Sequence, residues 1–235
     1  MEAMMAMPKP GSGETDYEKY TRTLELLSLQ KKPADLANDD ELLFQVVHQA
    51  MELWMKAAVH EIEKIRGWLA GDELDRARKH LFRIELIVDH LNDAMPVLET
   101  MTQADYHEIR MALGRGSGQD SPGFNELLEG LPTLWEPYQG VLKRGGASLL
   151  DVFREPHLEK NRAIYDVSMG MLAVDRAFQH FRYRHLQLAR TQIGLAVKSL
   201  KGVPAQAMEK NILRAYFPEL WTTIEDLTHE TSPVY

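Results

Sequence analysis

The chain has no cysteine. That absence excludes disulfides, thiolate ligation of zinc or iron, a cysteine nucleophile and thioether attachment of a haem. Clustered Lys/Arg is missing too. With a net charge of −8 and no basic run, nothing here is built to neutralise a phosphate backbone, so nucleic acid is not an expected partner. No apolar run approaches the roughly 20 residues that cross a bilayer. The Met-rich start lacks the basic and apolar regions of a signal peptide, and the expected location is cytoplasmic. Strand alternation is nearly absent and no internal repeat is visible. The catalytic signatures HExxH and GxSxG do not occur, and no histidine has the Glu three residues before it that a bundle-held di-iron site needs.

What remains is helical. The 235 residues, 44% hydrophobic, suit an all-α fold large enough to enclose a cofactor. Residues 1–13, with Pro and Gly and no periodicity, are expected to be a disordered lead, and residues 14–235 a single domain. The organising stretch is DELLFQVVHQAMELWMKAAVHEIEKIR, from Asp40 to Arg66. Phe44, His48, Met51 and Met55 share one helical face, so a titratable ring points where the apolar residues point. Such a histidine can be a hydrogen-bonded core residue or the wall of a ligand pocket. Asn38 or Asp39 is placed to cap this helix and Gly71 to stop it.

A third helix is expected from Asp72 to Met95, with Leu81, Ile84 and Leu91 on its inner face and His80 and His90 solvated. Thr102 is placed to cap a short helix ending at Gly114. On it, Tyr106 and Arg110 stand four apart, either a surface stacking pair or a clamp for a carboxylate. Prolines and glycines from Phe124 to Gly146 predict short helices and loops. A long helix from His157 to Ala196 carries Phe178, Phe181, His185, Leu188 and Gln192 at alternating spacings of three and four, again with a histidine in the apolar stripe. Pro218 is read as the start of a last helical turn, with a loose tail after Leu227. Two histidines on two long helices suit haem, one ligating iron and the other facing the opposite side of the porphyrin.

Five stretches carry a resemblance: YEKYTRTLELLSLQ from Tyr17, DELLFQVVHQAMELWMK from Asp40, VLETMTQADYHEIR from Val97 followed by LGRGSG, FRYRHLQLARTQIG from Phe181, and FPELW from Phe217. In this order they resemble the tryptophan 2,3-dioxygenase family of haem enzymes. The resemblance implies an all-α bundle enclosing haem b, with His185 as the proximal iron ligand and His48 as the distal histidine that meets the indole N–H. It implies that Phe44 packs on the substrate ring and Arg110 binds its carboxylate, with Tyr106 and Ser117 close by. Tyr17 and Tyr20 match tyrosines that an N-terminal arm lends to a neighbouring subunit, so a homotetramer is implied.

The substrate end departs from the family pattern. In place of the GTGG loop stands GLAVKSLKG, where only Ser199 lies near the family's threonine. The segment from Pro122 to Asp175 is short, Gln119 stands where a Phe is expected, and Met95 where an aromatic is expected. The leading expectation is a dioxygenase that adds O2 across the indole C2–C3 bond of L-tryptophan or a substituted tryptophan. A mono-oxygenase or peroxygenase hydroxylating an aromatic amino acid, and a non-catalytic haem-binding protein, stand beside it. Arg110 and His48 favour chemistry, since a scaffold has no need of a buried guanidinium facing a cavity.

Overall fold

A computed structural model describes residues 11–13, 15–114, 116–194 and 209–232. Among these the chain is all helical: α1 (Asp16–Thr21), α2 (Thr23–Leu26), α3 (Glu41–Ala70), α4 (Leu74–Leu98), α5 (Gln103–Ala112), α6 (Pro122–Gly130), α7 (Trp135–Gly145), α8 (Leu149–Arg154), α9 (Glu159–Ile193) and α10 (Pro218–Thr231), with short 3₁₀ turns between some of them.

Three long helices, α3, α4 and α9, form the frame. Helix α4 is central. Trp54 meets His90 and Glu61 meets His80, so α3 runs antiparallel to α4, while contacts of Asn92 with Ala177 and of Met101 with Gln192 make α9 parallel to it. Ala58, Ile62, Ile65 and Leu69 of α3, Leu81, Ile84, Val88 and Leu91 of α4, and Val167, Met171, Val174 and Phe178 of α9 are buried at three- and four-residue spacings. The periodicity seen in the sequence is therefore the core itself.

Local rules set the ends. Neither Asn38 nor Asp39 caps α3: its N-cap is Asp40, without a side-chain bond, and Asn38 Oδ1 instead accepts from Asp40 N–H at 3.1 Å ahead of the first turn. Thr102 Oγ1 accepts from Asp105 N–H and starts α5 as expected. Helix α7 ends on Gly146 at φ 58°, where Ala147 N–H bonds back to Leu142 O at 3.1 Å, a closure that a left-handed glycine allows.

Helix α4 does not stop at Met95 but runs through Pro96 to Leu98. Proline has no N–H to offer the carbonyl four residues back, so Asn92 O is released from the ladder and accepts instead from Arg184 Nη1 at 3.4 Å. The irregularity thus fastens α4 to α9 beside His185.

Two further expectations are corrected. His80 is not solvated: its Nδ1 donates to the buried Glu61, which also accepts from Arg83 and Lys64. Helix α10 is 14 residues long rather than one turn, and it continues past Leu227 to Thr231. Pro218 opens it, and the buried Asp175 of α9 holds its start by accepting from Tyr216 N–H, Phe217 N–H and Trp221 Nε1–H at 2.7, 3.2 and 2.9 Å. No described helix is long and apolar enough to cross a membrane.

Candidate functional site

The first wall of the site is α3. Phe44 and His48 lie one turn apart with ring centroids 4.0 Å from each other. His48 Nδ1 is 2.7 Å from Phe44 O. A carbonyl only accepts, so Nδ1 carries the proton, and in the neutral ring Nε2 is left with its lone pair facing outward. The residue is exposed to solvent, yet the packing around it still desolvates the ring in part. That desolvation holds its pKa below the usual histidine value, against the opposing pull of the Phe44 carbonyl and the Glu52 carboxylate.

Helix α5 adds Tyr106 and Arg110. The Tyr106 ring lies 6.3 Å from Phe44, and burial pushes its hydroxyl upward while the Arg110 guanidinium works the other way. Phe44, His48 and Tyr106 are thus brought together from two helices, and Arg110 lies one turn beyond Tyr106 on α5. Gln192 of α9, buried, donates to Met101 O at 3.2 Å and Gln103 donates to Thr191 O at 3.3 Å, which sets α5 on α9.

The second wall is α9. The Phe181 ring stacks nearly parallel to His185, at 10° and 6.2 Å between centroids, and Phe124 of α6 backs Phe181 at 5.8 Å. His185 also combines access to solvent with dense protein surroundings. Burial holds its pKa below the usual histidine value, and the charge of His48 adds to the effect. The two imidazoles are therefore close enough to feel one another electrostatically, although they are 137 positions apart in the sequence.

The lowered pKa of each histidine favours its neutral ring, which is the form that ligates a metal or accepts a hydrogen bond. Among the described residues His185 has no hydrogen-bond partner, so its ring nitrogens are uncommitted. No group of three or more His, Asp or Glu is placed to hold a bare metal ion among those residues. One uncommitted imidazole flanked by an aromatic ring, with a second imidazole near enough to act on it electrostatically, would suit a planar cofactor held by a single histidine better than an ion cage. Two shallow hollows, one of about 330 Å³ lined by Asn38, Asp39, Asp40 and Asp105 and one of about 320 Å³ beside Glu85 and Arg176, touch neither histidine.

Ser117 is partly buried and caps the 3₁₀ turn Gly118–Asp120, its hydroxyl accepting from Gln119 N–H and its own N–H donating to Asp120. Tyr17 and Tyr20 are 72% and 91% exposed, and the chain's own fold does not bring them to the site. Ser199, like residues 1–10 of the expected N-terminal lead, lies outside the described residues. Glu52 and Asp175 are structural partners of the site that the sequence reading missed. Asp175 signalled itself only through its link to FPELW, and Glu52 only by lying one turn beyond His48.

Against this geometry, comparison with known proteins is informative. The family model for tryptophan 2,3-dioxygenase matches residues 2–132. A tryptophan 2,3-dioxygenase of Saccharopolyspora erythraea is 28% identical over an alignment of 256 residues that covers 88% of this chain and 91% of the relative. Those of Arthrobacter sp. and Herpetosiphon aurantiacus are 26% and 25% identical, covering 89% and 90% of this chain and 91% and 98% of theirs. The alignments are longer than this chain, so the relatives carry residues that it lacks, in keeping with the shortened segment read in the sequence. An all-α oxygenase is the class that the fold and the family match define. The chain belongs to the tryptophan 2,3-dioxygenase family and is an enzyme of that family.

Proposed function

We propose that this enzyme binds haem b non-covalently and inserts O2 across the indole C2–C3 bond of L-tryptophan or a substituted tryptophan, giving an N-formylkynurenine-type product. The observation that supports the reading is the electrostatic link between two desolvated imidazoles, His48 and His185, carried on two long helices, with the Phe44 ring against His48 and Tyr106 near Phe44. His185 is the residue that would hold the iron, and the absence of cysteine rules out thioether attachment. When bound, the haem supplies the activation of O2.

The protein supplies placement. His48 Nε2, left as an acceptor by the Nδ1–H bond to Phe44 O, receives the indole N–H. Phe44 covers the indole face. Arg110, whose planar fork suits a carboxylate, takes that group of the amino acid, with Tyr106 and Ser117 beside it. Ser199 is assigned to the ammonium end. Tyr17 and Tyr20 complete the pocket of a neighbouring subunit in a homotetramer. Six large apolar residues of the arm, Tyr17, Tyr20, Leu24, Leu26, Leu27 and Leu29, are exposed in the single chain, which supports that assignment. Residues 14–235 act as one domain, and the enzyme works in the cytoplasm.

The test is an anaerobic titration of reduced, haem-loaded protein with tryptophan, its ring-substituted derivatives and tyrosine, followed by O2 and mass measurement. A gain of two oxygen atoms on an indole substrate is expected. A gain of one identifies a hydroxylase and a gain of none refutes catalysis on these substrates.

A further inference from the structure

Glu52 stands on α3 one turn beyond His48, so the two side chains leave the same side of the helix. Its carboxylate is not spent on a surface ion pair. One oxygen accepts from the Ser121 hydroxyl and the other from Gly123 N–H at 2.9 Å, partners 69 and 71 positions away. Ser121 is the N-cap of α6, and its oxygen also accepts from Phe124 N–H at 3.1 Å. Gly123 is the second residue of that helix, and its amide has no carbonyl within the helix to bond. Glu52 therefore fills a position that α6 leaves open.

The approach is close. A Cβ on Gly123 would lie 2.7 Å from Glu52 Oε2 and 2.8 Å from Met55 Cβ, so only glycine lets the start of α6 sit this near α3. Two pieces hang on this joint. Upstream, Ser117–Ser121 is a hydrogen-bonded block: Ser117 N–H bonds to Asp120, Asp120 N–H to Ser117 O at 2.8 Å and Ser121 N–H to Gly118 O at 3.3 Å. Downstream, Phe124 rests on Phe181, whose ring is parallel to His185.

We propose that Glu52 is a positioning residue of the oxygenase site, tying the Ser117–Phe124 segment to the helix that carries His48 and so fixing both the Ser117 turn and the Phe124–Phe181 contact relative to the two histidines. The functional part of this inference rests on the oxygenase reading above; the tether itself does not. Its action is geometric. An amide at the same length can still accept the Gly123 N–H and meet the Ser121 hydroxyl, whereas alanine removes both bonds.

The experiment compares wild type, Glu52→Ala, Glu52→Gln and Ser121→Ala as full-length protein. It follows hydrogen exchange of the segment from Leu113 to Glu126, haem content, and KM and kcat for L-tryptophan. Glu52→Ala should speed exchange at Gly123 and across Ser117–Phe124 at least tenfold, and raise KM at least fivefold with a smaller fall in kcat and haem content retained. Glu52→Gln should stay within about twofold of wild type in exchange and KM, and Ser121→Ala should fall between. Exchange in Glu52→Ala equal to wild type overturns the tether, and a Glu52→Gln variant as damaged as Glu52→Ala shows that charge rather than position is at work and overturns it too. If Glu52→Ala does not fold, unchanged exchange in Ser121→Ala overturns the tether and a partial rise supports it. If wild type does not turn over an indole amino acid, the oxygenase reading falls while the exchange data still decide whether Glu52 holds the segment.

Discussion

Replacing His48 by alanine separates placement from acid–base chemistry. In the structure the ring is fixed twice, by the 2.7 Å bond from Nδ1–H to Phe44 O and by ring contact with Phe44 at 4.0 Å, and the single atom this leaves for substrate is Nε2. The variant loses one hydrogen bond to an indole N–H. Such a bond contributes about 1 kcal/mol net, and up to about 3 kcal/mol when its loss leaves a buried donor unpaired. At about 1.4 kcal/mol per factor of ten, kcat/KM should fall between about fivefold and about 150-fold. The assay pairs L-tryptophan with its N1-methyl derivative, which cannot donate. Wild type should discriminate against the methylated substrate, and His48→Ala should turn over both at similar rates. A variant inactive towards both, with haem content intact, would make His48 an obligatory acid or base and refute the placement argument.

The acid limb of kcat/KM should lie below pH 6.5. Burial depresses the His48 pKa, so the neutral ring persists below the ordinary histidine value and activity is lost only as pH falls through the depressed one; His48→Ala should lack this limb. The same depression means that the unfolded chain binds more protons between the two pKa values. The contribution of His48 to stability is therefore complete above pH 6.5 and declines below it, which an acid denaturation series of wild type and variant measures. Arg110→Ala should weaken amino-acid binding by about 2 kcal/mol, roughly thirtyfold. That is the low end for removing one partner of a charge pair, because Arg110 is only partly buried. Unchanged affinity by equilibrium titration would put the carboxylate elsewhere. Deleting residues 1–22 should raise KM while leaving haem content within about twofold, because Tyr17 and Tyr20 are exposed in their own chain; spectroscopic titration with haem and then substrate measures both.

Much of the frame was legible because it rests on local periodicity. Helices α3 and α9 ran close to their expected bounds, and the Thr102 cap was placed correctly, since each depends on residues within a few positions of one another. The misses are contacts between distant residues. His80 looked solvated because its charged neighbours are local, while its partner Glu61 arrives from an antiparallel helix. The full length of α10 depends on Asp175, some 41 positions before Tyr216, and so does not register in a local pattern. The helix expected to end at Met95 runs on through Pro96, and Arg184 takes up the carbonyl that the proline frees. In the site, the two histidines could be picked out as polar interruptions of apolar stripes. Glu52 could not, since a glutamate one turn beyond a histidine looks like any solvated helix residue until α6 is laid against it.

The central claim is that His185 and His48 are the two faces of one haem site, with His185 alone holding the iron. The most direct measurement is a haem titration of wild type, His185→Ala and His48→Ala, followed by the Soret band and by iron content after gel filtration. About one haem per chain is expected for wild type and for His48→Ala, and loss of most of it in His185→Ala, because the other imidazole assigned to the site, His48, is held by its Nδ1–H on Phe44 O and assigned to substrate. Full haem retention by His185→Ala with an unchanged axial-ligand spectrum would contradict it.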